Sequence, residues 1–361
     1  MNRGGKVGIL EKTLGAIAPI DAAAAEAARR RQDNLTKPRG SLGKLEDLSI
    51  RLAGMTGKTT PVLDKKAIIV MAADHGVTEE GVSAYPQDVT AQMVGNFLAG
   101  GAAINVLARQ IGARVAVVDV GVRGRVGAHP ALRSRRIAEG TANMARGPAM
   151  SREQAVRSLE TGISAVEEEL ALGLDILGTG DMGIGNTTPS SAITALMTGA
   201  PVEECTGRGT GLDDEGLKRK VRVIARALEV NRPDPADALD VLAKVGGFEI
   251  GGLAGVMLAA AARRIPVVID GFISGAAALI AFCLSPRAAD YMIASHLSVE
   301  RGHRIALAKL GLSPHLDLGM RLGEGTGAAL TMFLADSAAR LLREMATFGE
   351  AGVSDSEAVK K

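Results

Sequence analysis

The sequence predicts an α/β fold: a parallel, Rossmann-like sheet flanked by helices. Three observations predict it. Short apolar runs recur, each followed at once by Gly or Asp. Stretches rich in Ala, Leu and charged residues, with helical character, separate those runs. The 45 glycines cluster just after the runs instead of scattering as in a linker. A strand buried on both faces reads as a short continuous apolar run. Strand, glycine-rich loop and helix in repetition make a parallel sheet. In such sheets ligands bind outside the carboxyl ends of the strands, and nearly all the Gly/Asp/Thr clusters fall there.

In chain order, helices are expected over 20–35 and 42–55, before any strand. The first strand is Ala67-Ile68-Ile69-Val70-Met71, leading into Ala73-Asp74-His75-Gly76. After a helix over 89–111, Val115-Ala116-Val117-Val118 leads into Asp119-Val120-Gly121. The helix over 152–172 opens on a capping box, Ser151 with Gln154. Leu174-Asp175-Ile176-Leu177 then leads into Gly178-Thr179-Gly180-Asp181. Helices over 213–230 and 250–263 precede Pro266-Val267-Val268-Ile269, which leads into Asp270-Gly271. A helix over 274–284 comes before Tyr291-Met292-Ile293 and Ala294-Ser295-His296, and another spans 299–310. A closing helix over 326–348 carries Leu330, Phe333, Leu334, Ala338, Leu341, Leu342 and Met345 at helical spacing. Residues 1–60 and 326–361 are therefore expected to form a small helical subdomain packed on an α/β catalytic domain over 61–325. Residues 1–5 and 354–361 are expected to fray.

Composition sets the class. The 361 residues allow about two domains, or one large domain with an appendage, and are ample for a sizeable core. With 42 Lys+Arg against 40 Asp+Glu, the formal net charge is only +2, which argues against a nucleic-acid binder. Two Tyr, six Phe and no Trp offer no platform for stacking bases. No apolar run reaches about 18 residues, so no membrane span is expected. Residues 1–10 lack the hydrophobic core of a signal peptide. Cys205 and Cys283 form neither a disulfide framework nor a zinc pattern, and a reducing, cytoplasmic setting is expected.

Several motifs point elsewhere and fail. Gly178-Thr179-Gly180-Asp181-Met182-Gly183 fits the dinucleotide fingerprint G-x-G-x-x-G, with Glu203 at the distance of a ribose-binding acid. Ala200-Pro201-Val202, however, is too short for the second strand that such a site needs. Gly57-Lys58-Thr59 resembles the end of a P-loop, but Leu52 stands where the first glycine belongs and a strand follows it. Glu203-Glu204-Cys205-Thr206-Gly207 is weakly similar to the diphosphate-sugar loop of ordinary phosphoribosyltransferases and lacks the long apolar strand before it. The five His residues show no H-x-x-x-H or H-E-x-x-H spacing, so no metal site is expected. His75, at a strand end, reads equally as a functional group and as a hydrogen-bonded loop residue. His129 and His315, beside prolines, read as turn residues.

Three segments carry chemistry. Asn186-Thr187-Thr188-Pro189 starts a helix after the glycine loop. Asn and Thr favour the N-cap and Pro the first turn, and the free N–H groups with the positive dipole end make an anion site suited to a phosphate monoester. Thr206-Gly207-Arg208-Gly209-Thr210-Gly211 is a second donor-rich loop, with Lys218, Arg219 and Lys220 on the next helix. One of those cations could serve the phosphate, although solvated helix faces use such runs more often. In Arg321-Leu322-Gly323-Glu324-Gly325-Thr326-Gly327 a single carboxylate lies between glycines, before an apolar helix. Leu322 and Met320 suggest an apolar surround that raises its pKa, the setting of a general base. Thr326 is better placed than Glu324 to cap the helix.

Taken in order, six segments resemble the nicotinate-nucleotide:dimethylbenzimidazole phosphoribosyltransferase family over roughly residues 35–330. They are Leu35-Thr36-Lys37-Pro38-Arg39-Gly40-Ser41-Leu42-Gly43; Ala73-Asp74-His75-Gly76-Val77 with Gly81-Val82-Ser83-Ala84-Tyr85-Pro86; Gly183-Ile184-Gly185-Asn186-Thr187-Thr188-Pro189; Gly207-Arg208-Gly209-Thr210-Gly211; Asp270-Gly271-Phe272; and Leu322-Gly323-Glu324-Gly325-Thr326-Gly327. The resemblance implies transfer of the 5-phosphoribosyl group of nicotinate mononucleotide to 5,6-dimethylbenzimidazole. The products are α-ribazole 5′-phosphate and nicotinate, with inversion at the sugar carbon. It implies Glu324 as the catalytic base and Asp181 as a second carboxylate. Phosphate and ribose contacts are expected from Gly183, Gly185, Asn186, Thr187, Thr188, Gly207, Arg208, Gly209, Lys220 and Asp270. The base is expected against Tyr85, Gln92, Met93, Met182 and Leu322. A homodimer without metal or other cofactor is implied. One departure is visible: the family commonly carries Glu where this chain has Asp181, one methylene shorter, which leaves open its role as a second acid/base or positioning group.

That chemistry is self-consistent. A pyridinium nitrogen is already cationic, so nicotinate leaves without a proton. Attack by one benzimidazole nitrogen makes that ring cationic unless its N–H is deprotonated, so one base suffices. No diphosphate leaves, so Mg²⁺ is not needed for charge neutralisation. A nucleotide-binding dehydrogenase would need an adenine-ribose acid that the sequence does not place. A non-catalytic binding module would leave the uncrowded Glu324 without a purpose.

Overall fold

Strands β1 (Lys66–Ala73), β2 (Ala113–Gly121), β3 (Leu132–Ser134), β4 (Ile176–Met182), β5 (Val267–Ile269) and β6 (Met292–Ala294) form one sheet in the order β3-β2-β1-β4-β5-β6. Every pairing is parallel. The computed structural model describes residues 8–124 and 126–354; the fraying expected at 1–5 and 354–361 lies, except for residue 354, outside the described residues. β1 is buried along its whole length, which is why its sequence shows no polar alternation. The chain builds outward from β1 through β2 to β3, then returns to place β4 on the other side of β1. Strand order therefore reverses between β1 and β4, the position where open α/β sheets bind ligands.

All five expected strands are present. β3 was not expected: it is a three-residue edge strand with no apolar run, held by pairing with Val117–Asp119 of β2 and by Arg133 contacts to Glu168 and Glu169.

Helices α1 (Ile9–Ala16), α2 (Ala22–Asn34) and α3 (Lys44–Thr56) precede β1. The single helix expected over 89–111 is two, α4 (Val89–Ala99) and α5 (Ala103–Ile111). Gly100 at φ +77° closes α4 in the left-handed conformation that glycine adopts without strain. Neither half approaches the roughly 20 residues needed to span a bilayer. α6 (Arg152–Ala171) starts on the expected Ser151–Gln154 capping box. Between β4 and β5 lie α7 (Thr187–Thr198), the short α8 (Val202–Cys205), α9 (Asp214–Asn231), α10 (Ala238–Val245) and α11 (Phe248–Ala262). α12 (Phe272–Leu284) joins β5 to β6, and α13 (Arg301–Leu310) follows. α14 (Thr326–Glu344) ends short of the expected residue 348; Thr347 and Glu350 form a fresh capping box for α15 (Phe348–Ala351).

α11 is buried on all sides. It lies close enough to α6 that a Cβ on Gly162 would fall 1.9 Å from the Gly252 carbonyl oxygen. α14 has two allegiances. Ala328, Met332 and Ala335 join the main core, while Leu342 meets Ala28, Ile50 and Ala53 of α2 and α3. The 35–43 motif links α2 to α3, and its buried Lys37 pairs with Glu46 at 2.8 Å.

Candidate active site

A cavity of about 590 Å³ opens at the carboxyl edge of the sheet, beside the β1–β4 reversal. Its floor is Asp181 and Met182 from the end of β4, then Gly183 and the start of α7. Close packing makes this floor. A Cβ on Gly183 would fall 2.4 Å from the Ala73 carbonyl oxygen of β1, and one on Gly180 would fall 2.4 Å from the Glu324 carbonyl oxygen. Glycine at both positions lets the Glu324 loop lie directly on β4.

Gly323, Glu324 and Gly325 all have positive φ, +82°, +63° and +97°. For glutamate this conformation costs about 1 kcal/mol, and such strain concentrates where structure serves function. The loop is held from below by Asp270, whose carboxylate accepts from the N–H groups of Gly325 (3.1 Å) and Ala328 (3.0 Å). Asp270 therefore caps α14 from another element and does not line the cavity, contrary to its expected ribose contact. Thr326 is not the cap; its hydroxyl donates to the Gly323 carbonyl at 2.9 Å. Burial pushes the Asp270 pKa up to about 7 against the pull of those N–H groups.

Glu324 is only 6% exposed and lines the cavity. Burial raises its pKa above the ordinary glutamate value, opposed by one N–H bond from Ile104 at 3.3 Å. No cation is paired with it among the described residues. Leu322, expected to supply the apolar surround, is 58% exposed at the cavity wall; the burial comes from the floor and α5 instead. Asp181 sits beneath Gly323, whose Cβ would lie 3.3 Å from both of its carboxylate oxygens. Asp181 Oδ2 accepts from Asn186 Nδ2 at 2.9 Å, and Oδ1 has no partner among the described residues. Burial first, then the neighbouring Asp270 and Glu249 carboxylates, holds Asp181 well above the usual carboxylate range. Asp181 is thus shifted further toward its neutral form than Glu324.

Gly185 and Thr187, at the start of α7, also line the cavity, and their N–H groups have no acceptor among the described residues. Contrary to expectation, the Asn186 side chain does not cap α7, because it is engaged by Asp181. Lys220, fully buried, donates to Thr187 Oγ1 at 2.7 Å and reaches the Gly207 carbonyl at 3.4 Å. Burial lowers its pKa to about 8, with Glu300 pulling the other way. Gly209 lies against both groups: its Cβ would fall 2.8 Å from Thr187 Oγ1 and 3.1 Å from Lys220 Nζ.

Of the expected contacts, Tyr85, Met93, Met182, Gly183, Gly185, Asn186, Thr187, Gly209 and Leu322 line the cavity with the two carboxylates. Thr188 is buried behind it. Gly207 serves through its carbonyl on Lys220. Arg208 turns away to the Leu212 carbonyl and Asp214. Gln92 is exposed and off the cavity, one residue out of the helical phase that points Met93 inward. His75 is buried on Glu249 at 2.8 Å, behind Gly183, and does not line the cavity. The cavity is also lined by His296, Ser298 and Glu300, which follow β6, and by Phe272 and Ile273, which follow β5. The strand-end rule reached both places, at Ala294-Ser295-His296 and Asp270-Gly271-Phe272, without assigning these side chains as contacts. No group of three or more His, Cys, Asp or Glu with metal-holding geometry occurs among the described residues.

Comparison with known proteins places this geometry in context. A family model described as phosphoribosyltransferase matches residues 17–353. A nicotinate-nucleotide–dimethylbenzimidazole phosphoribosyltransferase of Desulforudis audaxviator is 64% identical over 349 residues, 97% of this chain and 99% of the relative. The enzyme of the same name from Roseiflexus sp. is 63% identical over 346 residues, 96% of this chain and 98% of the relative. The crystal structure of such an enzyme from Thermus thermophilus superposes with a TM-score of 0.89 at 49% identity, covering 93% of this chain and all of that one.

Proposed function

The chain belongs to the nicotinate-nucleotide–dimethylbenzimidazole phosphoribosyltransferases, glycosyltransferase-type enzymes, and from that premise we propose that it moves the 5-phosphoribosyl group of nicotinate mononucleotide onto 5,6-dimethylbenzimidazole. The products are α-ribazole 5′-phosphate and nicotinate, with inversion at the anomeric carbon. The observation that carries the reading is Glu324: a buried carboxylate without a paired cation, on strained backbone, facing a cavity whose far end is a cradle for a phosphate monoester.

The cradle at Gly185, Thr187 and Lys220 holds the 5′-phosphate. This fixes the ribose over the β4 end, with its anomeric carbon toward Glu324. The benzimidazole lies against Met93, Met182, Tyr85 and Leu322, a mostly apolar wall. As the sugar–pyridinium bond breaks, its electron pair neutralises the nicotinate ring nitrogen. The free benzimidazole nitrogen forms the new bond to the anomeric carbon from the opposite face. The Glu324 carboxylate takes the proton from the second ring nitrogen, so the product ring stays neutral. A base at this position is worth roughly 10²–10⁴-fold. Asp181, which burial shifts toward its neutral form, limits the negative charge beside the base and fixes Asn186 at the start of α7.

The free thiols of Cys205 and Cys283 suit a cytoplasmic setting, and a homodimer is part of the same reading. Incubation with nicotinate mononucleotide and dimethylbenzimidazole tests the function. Release of nicotinate together with α-configured product supports it; no release, or a requirement for a diphosphate-sugar donor, counts against it.

A further inference from the structure

The donor in the proposed reaction carries two anions, the 5′-phosphate and the carboxylate on the pyridine ring. Only the first has been given a partner. Three carboxylates line the cavity, Asp181, Glu300 and Glu324, against a single Lys or Arg among the described residues, Arg321. Lys220 is occupied behind Thr187 at the phosphate end. A second anion entering beside Glu300 and Glu324 is repelled unless a cation meets it.

Arg321 is placed to be that cation. It stands three residues before Glu324 on the same loop. The Val299 N–H fixes that loop on the Met320 carbonyl at 3.2 Å, and the Thr326 N–H closes onto the Gly323 carbonyl at 3.1 Å. Its guanidinium has no acceptor among the described residues, unlike Arg208, which is spent on Asp214 and the Leu212 carbonyl. Leu322, beside it, offers apolar surface for a ring face. We propose that Arg321 is a specificity-determining residue that receives the carboxylate of the departing pyridine, so that the enzyme prefers nicotinate mononucleotide to its neutral amide counterpart. An arginine fork matches a carboxylate in a bidentate pair, and a carboxamide cannot return that charge. The inference rests on the transferase reading above.

The test compares the KM for nicotinate mononucleotide with the inhibition constant of nicotinamide mononucleotide, in the wild type, Arg321→Gln and Arg321→Lys. Arg321→Gln should narrow the ratio of the two constants by about 10-fold, the scale of a lost hydrogen-bonded charge. The loss should fall on KM more than on kcat, because the carboxylate is held in ground and transition state alike. Arg321→Lys should restore part of the ratio. A ratio unchanged in Arg321→Gln, or a loss that falls on kcat with the ratio intact, overturns the assignment while leaving the transferase reading standing. A wild type that releases no nicotinate overturns that reading and the proposal with it.

Discussion

At the scale of single residues, Glu324 lines the cavity and Lys220 is buried behind Thr187, and both are shifted by the same cause. Burial disfavours their charged forms, so the glutamate titrates higher and the lysine lower than in water. The consequences for pH have opposite signs. In the proposed mechanism, falling pH protonates Glu324 and so removes the base. Rising pH through about 8 deprotonates Lys220 and so removes the cation proposed for the phosphate. The KM for the mononucleotide should therefore climb above about pH 8 while that for the base stays flat. Lys220→Ala should raise the mononucleotide KM by roughly 10–100-fold, the scale of a lost hydrogen bond to a charged group, and should abolish the alkaline rise. Steady-state kinetics across pH measure both. An unchanged KM in a folded Lys220→Ala protein would remove Lys220 from the site.

At the scale of elements, the legible parts were those that leave a local trace. β1, β2 and β4 were readable because burial on both faces demands continuous apolar runs, and the glycine loops because a side chain there would strike a neighbouring backbone. β3 was not readable, since its pairing with β2 and the Arg133 contacts to Glu168 and Glu169 are made far along the chain. The break between α4 and α5 was written in Gly100-Gly101, a pair that punctuates helices, but the apolar pattern on both sides concealed it. Asp270 was legible as a strand-end carboxylate and illegible in role, because the N–H groups it accepts belong to α14. Element packing makes its own prediction. A Cβ at position 162 falls on the Gly252 backbone of α11, and backbone cannot rotate aside. Gly162→Ala should separate α6 from α11 and cost about 1–3 kcal/mol, seen as a lower urea midpoint with little change in KM. A midpoint equal to the wild type would mean that the two helices are less tightly seated than described.

At the scale of the whole molecule, one reversal of strand order gathers a buried carboxylate, the glycine-rich start of α7 and an apolar wall from segments scattered between residues 82 and 324. The logic of the parallel sheet placed most of those segments from sequence. The side chains that point away, Arg208 and Gln92, could not be told from those that point inward without the helix and loop phases. The proposed reaction asks nothing of a metal: nicotinate departs with its ring nitrogen neutral, and the phosphate monoester stays on the transferred sugar. Activity should therefore survive EDTA, and turnover lost on chelation and restored by Mg²⁺ would point to a diphosphate-sugar donor. The central claim is that one buried carboxylate supplies the base. The most direct measurement is kcat for nicotinate release against pH, in the wild type and in Glu324→Gln, which keeps the shape and removes the basicity. The account predicts a wild-type acid limb displaced above the ordinary glutamate range. In the variant kcat should be roughly 10²-fold or more lower, with that limb gone and the mononucleotide KM little changed. Near-full kcat with an unchanged pH profile would contradict it and move the role to Asp181.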